Sequence, residues 1–93
     1  MFNPFQMIPQ ESRSEERPIY SKHLGWSEYD EEGDSVPATI VVVKAFVGYD
    51  IFRVGEQIYH LDWYGPKECA IEWAVDRVRQ EVAEHEMRQA ERD

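Results

Sequence analysis

The chain has 93 residues and a formal net charge of −9, from 19 acidic and 10 basic side chains. That length admits one domain, and the acidity opposes direct binding to nucleic acid or an anionic membrane, whose phosphates repel it. A hydrophobic fraction of 42% excludes a wholly disordered chain, while the longest apolar run, Ile40 to Val43, falls far short of the roughly 20 residues that span a bilayer.

Residues 1–20 read as an extended arm, because Pro4, Pro9 and Pro18 lack amide donors and disfavour helix at the residue before each. Phe2, Phe5, Met7 and Ile8 are nevertheless apolar and able to pack onto the domain, a second copy or a partner. No basic start followed by an apolar stretch marks a secretory signal, and the single cysteine permits no internal disulfide, so a cytoplasmic setting is expected. Residues 21–93 form the domain. In its first part Leu24 and Trp26 alternate with Gly25 and Ser27 as in a half-buried strand, and Asp30-Glu31-Glu32-Gly33-Asp34 has the composition of a turn. A hairpin from about His23 to Val43 follows.

The clearest strand spans about 38–47, where β-branched residues dominate, and it ends at Gly48-Tyr49-Asp50. Short strands at about 51–54 and 57–63 flank the turn Gly55-Glu56. Pro66 suits the first position of a helix over about 66–90, which contains no further proline or glycine. Ile71, Val75, Val78 and Val82 fall on one helical face. The expected fold is α+β: a three- or four-stranded antiparallel meander packed against one long C-terminal helix.

Alternation assigns the strands' faces. Val41, Val43, Phe52, Tyr59, Leu61 and Trp63 are expected beneath the helix. The opposite face then shows Ile40, Val42, Phe46, Ile51 and Ile58 around Lys44, Arg53, His60 and Asp62, which is too apolar for a solvated surface. The arm, a second subunit or another protein could cover it, and Val42, Phe46, Ile51 and Ile58 are the candidate dimer residues.

Chemistry-bearing motifs are few. Glu28, Asp30, Glu31, Glu32 and Asp34 lie within seven residues, and no Lys or Arg occurs between Lys22 and Lys44. Such a run suits a basic groove on another molecule, with Trp26 and Tyr29 as anchoring aromatics. It is not a calcium loop: Ser35 stands where the EF-hand pattern needs glycine. His23, His60 and His85 are too scattered for a metal site, and Gln89 replaces the second histidine of a zinc-protease helix motif. Cys69 in the first helical turn, with His60 as a base, is the one conceivable nucleophile, but no orienting group or oxyanion donor accompanies it. No cofactor, no metal and no enzymatic activity are expected.

In size, acidity and layout the chain resembles the small phage-encoded inhibitors of bacterial defence, the anti-CRISPR proteins in particular. The residues that carry the resemblance are the acid run from Glu28 to Asp34 and the strand–helix junction His60-Leu61-Asp62-Trp63-Tyr64-Gly65-Pro66-Lys67-Glu68-Cys69-Ala70. It implies a non-enzymatic inhibitor acting in a host cytoplasm, whose target is a CRISPR effector or another nuclease complex with a basic nucleic-acid-binding surface. The expected contacts, read from the charge pattern, are Trp26, Glu28, Tyr29, Asp30, Glu31, Glu32 and Asp34. The alternative is a homodimeric structural or adaptor protein that uses the outer face of its sheet.

Overall fold

The computed structural model describes residues 18–92, and the apolar arm residues Phe2, Phe5, Met7 and Ile8 lie outside that range. Strands β1 (Tyr20–Tyr29), β2 (Ser35–Lys44), β3 (Tyr49–Val54) and β4 (Ile58–Tyr64) precede helix α1 (Lys67–Arg92). The strands lie in sequence order in one antiparallel sheet. The α+β meander with a C-terminal helix is therefore the fold, with four strands.

Each element follows from local chemistry. The β-branched run of β2 pairs with strands on both sides, and its residues Ile40, Val41, Val42 and Val43 are fully buried. Pro66 stands at the start of α1, and its carbonyl accepts the first helical hydrogen bond from Ala70 N–H at 3.2 Å. Gly48 closes the β2–β3 turn at φ +79, a left-handed conformation that residues with a Cβ avoid. The indole of Trp63 lies against this glycine and donates from Nε1 to the Val47 carbonyl at 2.8 Å.

The helix lies on the face opposite to the one that alternation suggested. Leu24, Ala38, Ile40, Val42 and Ile51 pack with Ala70 and Ala74, with Leu61, Trp73, Val78 and Val82 at the margin. Val41, Val43 and Phe52 belong instead to a second cluster with Val36, Val54 and Ile58 that contains no helical residue. Of the six side chains expected beneath the helix, only Leu61 packs there, and Tyr59 and Trp63 are about half exposed.

Two physical reasons account for this. In β2 both alternating sets are apolar, so periodicity does not choose between them. The cations expected on the face away from the helix sit on the helix side with oxygen partners: Arg53 meets Glu28 and Glu81, and Lys44 donates to the Ala45 carbonyl at 2.8 Å. The pairing also shifts within β4, where Ile51 opposes Asp62 and Phe52 opposes His60, leaving Leu61 unpaired. This bulge breaks the alternation, so that Leu61 and Tyr64 both join the helix-side cluster while His60 packs edge-on against Phe52.

Candidate functional site

In a four-stranded meander the first and third turns fall at the same end of the sheet. Here the β1–β2 turn brings Asp30, Glu31 and Glu32 beside Glu56 of the β3–β4 turn, and these four side chains line one shallow depression. The β1–β2 turn closes on itself. Asp30 N–H donates to the Asp34 carbonyl and Gly33 N–H to the Asp30 carbonyl, both at 3.0 Å. The Asp30 carboxylate accepts from the N–H groups of Glu32 (3.0 Å) and Asp34 (2.8 Å), an Asx arrangement that holds the turn without a cation. Glu31, Glu32, Asp34 and Glu56 are exposed, and Tyr29 beside them is 69% exposed.

Trp26 and Glu28 do not share that exposure. Glu28 accepts from both terminal nitrogens of Arg53 at 2.7 Å, from Glu56 N–H at 2.8 Å and from Trp26 Nε1 at 3.3 Å. The fork-on-carboxylate geometry is the strong form of this pair. Hydrogen bonding from Arg53 dominates over the opposing effect of burial and lowers the Glu28 pKa from 4.5 to about 2. The same bond raises the Arg53 pKa above its ordinary value. Glu81 of α1 lies 3.9 Å from Arg53 and 3.0 Å from Arg77. Trp26 stacks on His85, with ring centroids 4.0 Å apart and planes 4° from parallel. Trp26, Glu28, Arg53, Glu81 and His85 line a cleft of about 260 Å³ between strands β1 and β3 and the second half of α1. They fasten the helix to the sheet.

Of the seven expected contact residues, five therefore gather at one accessible end: Tyr29, Asp30, Glu31, Glu32 and Asp34. Two are drawn inward. Glu56 is an addition, and its signal was present in the sequence: Gly55-Glu56 is the other turn of the meander that reaches this end.

The candidate dimer residues do not form one surface. Val42 and Ile51 are buried beneath α1, which removes them from any open face. Phe46 is 84% exposed in the β2–β3 turn at the far end, near Val47 and Trp63, and Ile58 packs against the second cluster. Cys69 and His60 are not brought together either. Cys69 is exposed at the start of α1, while His60 packs on Phe52 and its Nε2 lies 2.9 Å from Asp50 Oδ1.

Among the described residues no group of three or more His, Cys, Asp or Glu side chains could hold a metal ion. None of the described helices is long and apolar enough to cross a membrane. No family model, curated protein or solved structure matches the chain.

Proposed function

We propose that the protein is a non-enzymatic binding module that docks its acidic sheet end onto a basic surface of another protein, of the kind that otherwise holds nucleic acid. One observation carries this reading. Arg53, which pairs with Glu28 at the start of the acid run, is engaged by Glu28 and Glu81. Glu31, Glu32, Asp34 and Glu56 are left exposed, with no ion pair among the described residues. Like charges held this close repel one another in the isolated molecule. A cationic groove relieves that repulsion and also steers encounter. Tyr29 adds an exposed aromatic of the type enriched at binding hot spots. The resemblance to anti-CRISPR proteins makes a CRISPR effector or a related nuclease complex the first target class to try.

The test is retention of host-cell proteins on the immobilised protein, followed by elution with duplex DNA. Nucleic-acid-binding proteins should be held at low salt and released by DNA or by high salt. The double variant Glu31→Lys/Glu32→Lys should weaken capture by at least about tenfold, since like charges set against each other cost several kcal/mol. Capture that survives the reversal unchanged overturns the reading.

A further inference from the structure

The β2–β3 turn ends the sheet on two apolar side chains. Phe46 is 84% exposed and Val47 75%, and Trp63 beside them is 45% exposed. Turns are ordinarily built from Gly, Pro, Asn, Asp or Ser, which supply the backbone geometry or local hydrogen bonds. Gly48 supplies the geometry here, and Phe46 and Val47 contribute neither geometry nor packing to the fold. The turn is nonetheless firmly held. Ala45 N–H donates to the Gly48 carbonyl at 3.0 Å, and Trp63 Nε1 to the Val47 carbonyl at 2.8 Å. The Lys44 ammonium donates to the carbonyls of Ala45 at 2.8 Å and Gly48 at 3.5 Å.

We propose that this tip is a second binding end, which inserts Phe46 and Val47 into an apolar pocket of a partner protein. Charge, area and rigidity select that occupant. In a chain with 19 acidic side chains the segment from Lys44 to Tyr49 has none, and its one charge, on Lys44, is turned to the carbonyls of the turn. An uncharged tip fits an uncharged socket. The net charge of −9 sets the chain against an anionic membrane. The exposed parts of Phe46, Val47 and Trp63 amount to on the order of 400 Å². That is about half of the roughly 800 Å² that each side of a stable interface buries, so two tips meeting across a two-fold axis fall short of a dimer. The cleft beside α1 and the depression at the acidic end are lined mainly by charged side chains, and neither is an apolar socket for a second copy's tip. A pocket that encloses the tip adds the area of its own walls, and a fixed turn carrying an aromatic side chain needs little ordering on entry. The ten residues of β2 put about 33 Å between this tip and the acidic end, so the two ends meet separate surfaces and neither depends on the other.

Photo-crosslinking of the full-length protein tests this. p-Benzoylphenylalanine in place of Phe46 is irradiated in host-cell extract at about 0.5 M salt, where surface charge is screened. It should link the protein to a partner through that partner's Leu, Ile, Val, Met or Phe side chains, mapped by mass spectrometry of the adduct. Excess parent protein should suppress the adduct, and Phe46→Ser/Val47→Ser should need at least about thirtyfold more to do so. Glu31→Lys/Glu32→Lys should suppress it as well as the parent does, which separates this end from the acidic one. Phe46→Ser/Val47→Ser should also melt within about 4 °C of the parent, because neither side chain is packed in the fold. The proposal is overturned by no adduct, by an adduct only with a second copy or within the chain itself, or by a partner site made of charged side chains. Equal suppression by Phe46→Ser/Val47→Ser, or a larger fall in its melting temperature, overturns it too.

Discussion

Glu28→Gln keeps the length of the side chain and removes the charge that Arg53 faces. The expected cost follows from the displaced pKa. A carboxyl moved from 4.5 to about 2 corresponds to at most about 3 kcal/mol of stabilisation. The Glu28 side chain is 24% exposed and that of Arg53 13%, so water screens part of this, and about 1–2 kcal/mol remains. For a domain of this size the melting temperature at pH 7 should fall by about 5–15 °C. The sign with pH is fixed by the direction of the shift. The folded carboxyl sits below its ordinary value, so the unfolded chain takes up the proton first as pH falls. The contribution is whole above about 4.5 and drains away as pH drops through about 2. Thermal or urea denaturation of parent and variant at pH 7, 5, 4, 3 and 2 checks this as a difference curve, which cancels the other carboxylates. The stability gap should narrow from about 1–2 kcal/mol towards zero across that range. A gap that is already below about 0.3 kcal/mol at pH 7, or that stays constant down to pH 2, refutes the argued role of the pair.

Gly48→Ala should destabilise the fold by about 1–3 kcal/mol, because φ is +79 and the new methyl meets the Trp63 ring, whereas Gly33→Ala, at φ +85 over open space, should cost less; denaturant midpoints rank the two. His85→Ala should remove the stack on Trp26, cost about 0.5–1.5 kcal/mol and loosen the last turns of α1, seen as faster amide exchange beyond Val82 and a changed indole emission. Cys69 should alkylate at the same rate in the parent and in His60→Ala, since the imidazole is on the other side of the sheet with Asp50; a rate that falls with His60 would revive the thiol–imidazole pairing.

The element types were legible because each had an unambiguous local cause. Pro66 and the absence of glycine and proline beyond it marked the helix, and glycine-centred turns divided the strands. The choice of sheet face was not legible, because β2 is apolar on both sides. Side-chain polarity misled there: Arg53 is drawn to the helix side by Glu28, twenty-five residues earlier in the chain, and by Glu81, twenty-eight residues later. No local pattern reveals such a pair. The bulge at Leu61 also left no composition signal, since neither glycine nor proline marks it. In the candidate site, the acids of the β1–β2 turn were visible as a run. The withdrawal of Glu28 and Trp26 from that run depended on partners in β3 and α1.

The partition of charge at the two ends of Glu28's neighbourhood bears directly on function. If the acid run existed only to keep the chain soluble, Arg53 could relieve its repulsion, since it lies in the strand leading to the Glu56 turn. Glu28 intercepts that cation instead, taking both guanidinium nitrogens and the Glu56 N–H, and Glu81 approaches it from the helix. The Asp30 turn is closed by backbone donors and needs no counter-charge to keep its shape. The fold thus uses Arg53 to fasten the helix and leaves Glu31, Glu32, Asp34 and Glu56 of the hairpin end exposed, with no ion pair among the described residues. The turn backbone is already fixed by the bonds to Asp30, so docking of the kind proposed would have to order only the exposed glutamate and aspartate side chains, which limits its entropic cost.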